Sequence, residues 1–184
     1  MFSITTQVLD DEAQRVLREL PYDVLQKAVK AGVLTASKTA TVETRKAIRA
    51  RYAVKSGTLN GSSVSVRMST HAGLPAAELK GSRKTRTVNQ WGARETKRGL
   101  TFRVYKGQQE TIRSGFIAKG LPFYRTSSSR YPLDVAHGPS VDGMFGAGRF
   151  ADEMRAQVEV VIEPRLEAGI NRSIRGWAAR NNLL

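Results

Sequence analysis

The chain contains no cysteine, which removes disulfides, thiolate nucleophiles and thiolate zinc sites. Histidine is nearly as scarce: His71 and His137 are the only two in 184 residues, too few for a histidine-rich metal site. Acid is missing from the middle, where Lys38 to Arg130 holds no aspartate and only four glutamates. No run approaches the roughly 20 apolar residues that a membrane-spanning helix needs. The first ten residues lack the basic start and apolar core of a secretory signal. The expectation is a protein that is neither membrane-embedded nor exported by Sec-type signals, and that assembles in a reducing cytoplasm.

The same scarcity limits catalysis. Ser127-Ser128-Ser129 is a polar turn without the G-x-S-x-G context of a nucleophile. Gly146-Ala147-Gly148 lacks the third glycine of a dinucleotide loop, and Gly81-Ser82-Arg83-Lys84 is not a Walker loop. Asp10-Asp11-Glu12 and Asp152-Glu153 stand at helix starts, where capping accounts for them. His137 reads as a hydrogen-bonding turn residue. No active site emerges, so neither an enzyme nor a cofactor is expected.

Positive charge is what the chain has in excess. It carries 30 Lys+Arg against 16 Asp+Glu, a net charge of +14. From Lys38 to Arg130 there are 20 Lys+Arg, a net of +16, so the two ends together carry −2. A basic middle between near-neutral ends calls for an anionic partner or nucleic acid, or else is a solvated face that aids solubility. The candidate contacts are Arg45, Lys46, Arg49 and Arg51 at a helix end, and Arg83, Lys84, Arg86, Arg94, Lys97 and Arg98 in a loop. At the helix end the same cations complement the dipole, and the sequence alone does not choose between the two roles. In the loop, six cations surround Trp91, a combination that can grip a single strand. No helix-turn-helix, zinc module or RNP-like strand accompanies them, so sequence-specific reading is not expected.

Periodicity predicts an α+β fold in one domain: a helical region over 1–54, a basic β region over 62–135, and C-terminal helices over 139–182. Val8, Leu9, Ala13, Val16, Leu17 and Leu20 have helical spacing, and a second helix runs from about Tyr22 to Tyr52. Ala31, Gly32, Ala36, Ser37 and Ala40 would let another helix approach closely, within the subunit or across a boundary. Val64–Met68 and Leu100–Tyr105 alternate as strands, with Ala77–Lys80, Ile112–Ala118 and Phe123–Arg125 as further candidates. Short turns join them, so the sheet should be largely antiparallel. The stretch 81–99 reads as a long, mobile basic loop. Phe150, Met154, Val158, Ile162, Leu166, Ile170 and Ile174 make one stripe of a long amphipathic helix. That helix is expected to pack on the sheet, and Pro164 to kink or split it.

Within Phe116–Phe145 the order FIA, aromatic-x-Arg at Phe123-Tyr124-Arg125, polar turn, Arg130-Tyr131-Pro132-Leu133-Asp134-Val135, Gly138-Pro139-Ser140-Val141, Met144-Phe145 resembles the signature of the minor tail protein Z family of tailed bacteriophages. The chain departs from many relatives in having Asp142-Gly143 where a proline follows the Ser-Val pair. The resemblance implies a structural virion protein that completes the head-proximal end of the tail. It also implies a self-assembled ring, commonly six-fold, at the neck, which meets tail terminator or tube proteins and head–tail connector proteins. Arg125, Arg130, Tyr131, Pro132, Gly138, Pro139, Ser140, Met144 and Phe145 are then family-motif or interface residues. Genomic DNA could touch the basic region non-specifically. The alternative is a non-sequence-specific nucleic-acid-binding protein outside any virion.

Overall fold

A computed structural model describes residues 21–71 and 73–181. The expected helix over residues 8–20 lies outside them. The fold is α+β: two long helices, with short strands between them arranged in small antiparallel sheets. Helix α1 spans Tyr22–Arg51. Strands β1 (Val64–His71) and β2 (Leu74–Gly81) pair in a two-stranded sheet. Then come β3 (Arg86–Thr87), β4 (Arg94–Thr96), β5 (Gly99–Phe102), β6 (Glu110–Ile112), β7 (Gly115–Ala118), β8 (Leu121–Arg125), β9 (Leu133–Val135) and β10 (His137–Gly138). Helix α2 closes the described chain over Ala151–Arg180.

Two compact units result. Among the described residues the first holds 21–44, 65–80 and 155–181, and the second holds 45–64 and 81–154. In the first unit, α1 buries a four-step stripe of Val24, Ala28, Gly32, Ala36, Ala40 and Thr44. Steps of four keep one helical face inward, and the small residues on it let the backbones come close. A Cβ on Gly169 of α2 would lie 2.7 Å from the Cα of Gly32, and one on Gly32 would lie 2.8 Å from the Leu166 carbonyl oxygen. Val158 and Ile162 of α2 are buried in the same unit.

The apolar stripe of α2 was expected to pack on the sheet; in this unit its partner is α1. The physical reason is that β1 offers little to pack on, since from Ser65 to His71 only Val66 is even half-buried. Pro164 does not split α2, which is a single helix with the proline inside it. The proline leaves the Val160 carbonyl without its usual donor. Val160 and Pro164 are both exposed, so water can reach that face.

In the second unit β4, β5 and β6 form one antiparallel sheet, β7, β8 and β9 another, and β3 pairs with β10. The 81–99 stretch is not a mobile loop. It contains β3, a 3-10 turn over Val88–Trp91, and β4. Val88 and Trp91 anchor it, being 0% and 2% exposed. Two large buried side chains outweighed a polar, cationic composition. Ile112–Ala118 is two strands separated by a turn, and the β5 ladder ends at Phe102, although Val104 continues the buried alternation. His137 belongs to β10, opposite Thr87, rather than to a turn.

Candidate polyanion interface

All ten cations singled out by the sequence fall in the second unit. That unit carries 18 Lys+Arg against 6 Asp+Glu, a net of +12 out of the chain's +14. The ten differ in burial and in what holds them.

Arg45 and Arg86 are half-buried and tied inward. Nη2 of Arg45 donates to the Val64 carbonyl at 3.3 Å, and Nη2 of Arg86 donates to Ser63 Oγ at 2.8 Å. Ser63 Oγ in turn donates to the Thr58 carbonyl, which locks the turn after α1. Arg51 pairs with Glu153 and stacks over the Phe150 ring, 5.4 Å from its centroid. Arg83 pairs with Asp142 at 3.3 Å, although its own side chain stays largely exposed. Lys46, Arg49, Lys84, Arg94, Lys97 and Arg98 lie exposed. Of the four helix-end residues, Arg45 and Arg51 therefore serve the fold, and Arg49 faces solvent.

Trp91 cannot stack on a base. Its ring is buried against Gly138, where an added Cβ would come within 2.7–2.9 Å of three ring carbons. Single-strand gripping by the 81–99 cations with Trp91 is thereby lost, because the aromatic half of the device is inside.

The motif residues serve the fold in two ways. Gly138 sits on Trp91, and Ser140 Oγ accepts from the Gly143 amide at 3.0 Å, capping the turn that leads into a π-helical stretch over Gly143–Ala147. Val141, Met144 and Phe145 in that region are at most 1% exposed. By contrast Arg125, Arg130, Tyr131 and Pro132 are exposed; Arg130 lies over the Tyr131 ring at 5.8 Å, and Tyr131 is 65% exposed. Pro139 is half-buried beside Gly138.

Beside this core Tyr52, Tyr105 and Phe150 form an aromatic cluster, with centroids 5.2, 6.3 and 5.8 Å apart. Burial pushes the Tyr52 hydroxyl up to about 12, helped by the neighbouring Tyr105. The sequence reading missed this cluster, whose members are remote in the chain; an isolated bridge between Tyr52 and Tyr105 joins two of them in the backbone. It also passed over the exposed Arg103 and Arg113, which alternation along β5 and β6 could have revealed. Among the described residues no group of three or more His, Asp or Glu could hold a metal, and no helix is long and apolar enough to cross a membrane.

The model of one protein family, prophage minor tail protein Z, matches residues 21–180. No curated protein and no solved structure matches the chain.

Proposed function

The chain belongs to the prophage minor tail protein Z family, and from that premise we propose that it completes the head-proximal end of a phage tail. Membership makes it a phage minor tail protein, a structural component of the virion tail. The finer role is mechanical. The protein closes the end of the tail so that a filled head can join, and it keeps the DNA path continuous across the neck. Copies of the chain form a closed ring through heterologous contacts, placed between tail terminator or tube proteins and the head–tail connector.

The observation that carries this reading is the division of labour between the units. One packs helix on helix through Gly32 and Gly169, and the other concentrates +12 of the charge. A basic unit suits a lumen crossed by DNA or an acidic neighbour, and the buried motif residues Val141, Met144 and Phe145 belong to its core. The exposed Arg125, Arg130 and Tyr131 are then contact residues toward neighbouring subunits or proteins.

A phage with the reading frame interrupted supplies the test. The expected result is filled heads and full-length tails that fail to join, restored when the protein is added to the lysate. Heads and tails that join normally without it would overturn the completion role. Duplex binding by the purified protein, with none of it found in particles, would favour a nucleic-acid-binding protein acting outside the virion.

A further inference from the structure

The register of the β4–β5–β6 sheet sorts its side chains by sign. Residues directly opposite one another share a face. Glu95 lies opposite Leu100, Leu100 opposite Ile112, and Phe102 opposite Glu110, so both glutamates fall on the face that carries Leu100 and Phe102. That is the inner face: Leu100 is 0% and Phe102 is 7% exposed, and Glu95 Oε2 accepts from the Ile117 amide of β7 at 2.9 Å. The other face takes Arg94, Thr101 and Thr111 in one row, with Thr96 beyond. Alternation carries Arg103, one residue past β5, and Arg113, one residue past β6, to that same outer side, and both are exposed. Lys97 and Arg98 occupy the exposed turn between β4 and β5.

We propose that this outer face, with Arg94, Arg103 and Arg113 on it and Lys97 and Arg98 at its end, binds the phosphodiester backbone of double-stranded nucleic acid without reading its sequence. The proposal deepens the basic-surface part of the function above and rests on that reading only for where the nucleic acid comes from. Among the described residues, none of the five cations meets a carboxylate, whereas Arg51 and Arg83 each have one. Two of the threonines between them are already engaged with the backbone. Thr96 Oγ1 donates to the Gly99 carbonyl at 2.8 Å and Thr101 Oγ1 to the Arg94 carbonyl at 3.2 Å, so these hydroxyls hold the strands in place. The paired positions of this face, Arg94, Thr96, Thr101 and Thr111, include no aromatic or large aliphatic side chain, and a protein-binding surface needs such anchors. It also has no ring on which to stack unpaired bases, which disfavours a single strand, and no helix to enter a groove. A flat set of guanidinium and ammonium groups matches what remains, the regular phosphates of a duplex.

The test uses the full chain and a short duplex of arbitrary sequence, followed by fluorescence anisotropy across a salt series. Each neutralised phosphate contributes about 0.9 to the slope of log Kobs against log salt. The variant R94Q/R103Q/R113Q should therefore lose about 2.7 from that slope, with equal loss on a second, unrelated duplex. R165Q/R172Q, on exposed cations of α2 in the first unit, should keep the wild-type slope. Circular dichroism should be unchanged in both variants, because every substituted side chain is exposed. A wild-type slope in the triple variant would overturn the proposal. So would polyglutamate displacing the duplex at equal charge concentration, which would make the face an acidic-protein site. Scoring head–tail joining with the same variant separates the two ideas: lost duplex binding with joining intact leaves the face in place and removes only the DNA-path part of the role.

Discussion

Replacing Gly138 with alanine should destabilise the second unit through one contact. The new Cβ would meet Cζ3, Cε3 and Cη2 of Trp91 at 2.7, 2.9 and 2.9 Å, closer than carbon atoms pack at optimal separation. The ring cannot swing away, because Trp91 is 2% exposed and its neighbour Val88 is fully buried. Gly138 cannot easily retreat either, since β10 is hydrogen-bonded to β3 and the Val88 amide donates to the Ala136 carbonyl at 3.0 Å. Overpacking of this kind costs about 1–3 kcal/mol. A glycine-to-alanine change at an unstrained position returns about 0.4–1 kcal/mol through the unfolded chain. The net expectation is a loss of about 1–2 kcal/mol, or a Tm lower by roughly 2–8 °C at this chain length. Urea unfolding followed by circular dichroism reads it. Trp91→Phe vacates the six-membered ring that Gly138 faces, so the same alanine should cost at least about 0.5 kcal/mol less in that background, a coupling that a double-mutant cycle isolates. Equal cost in both backgrounds, or no cost in the native one, would refute the steric argument.

Gly169→Ala should lower stability by about 1–3 kcal/mol, because its Cβ would press on the Gly32 backbone and overpacking exceeds the gain in helix propensity; thermal melting checks it. Ser140→Ala should cost about 1 kcal/mol by leaving the Gly143 amide uncapped, read by urea unfolding. The raised Tyr52 hydroxyl predicts alkaline sensitivity. The folded chain keeps this proton after the unfolded chain has lost it, so the contribution is complete below pH 10 and disappears as pH rises through about 12. Tyr52→Phe should accordingly flatten the fall in stability over that interval. Glu153→Gln, which breaks the partly exposed pair with Arg51, should change stability by less than about 1 kcal/mol.

Much of the architecture was legible in the sequence where one signal dominated. The stripe of α2 at Met154, Val158 and Ile162 and the alternation at Leu100, Phe102 and Val104 are periodicities that the burial pattern repeats, and of the small residues expected to let a helix approach α1, Gly32, Ala36 and Ala40 are buried. What composition obscured was decided by a few buried groups. The 81–99 stretch looked mobile because it is rich in cations, yet Val88 and Trp91 fasten it. Pro164 looked like a break, yet it falls on an exposed face where a free carbonyl can be hydrated. The partner of α2 was misread because periodicity shows which face is apolar and not what covers it. The basic site was half legible. The sequence located the charge, but only the fold separates the tied Arg45, Arg51 and Arg86 from the open Arg94, Lys97 and Arg98. Strand register then adds Arg103 and Arg113.

The central claim is a place in the virion, and gold labelling of a C-terminal tag on purified particles tests it most directly. The account predicts label at the head–tail junction, and at the corresponding end of tails not yet joined to heads. Label spread along the tail tube, at the distal tip, or missing from particles altogether would contradict it.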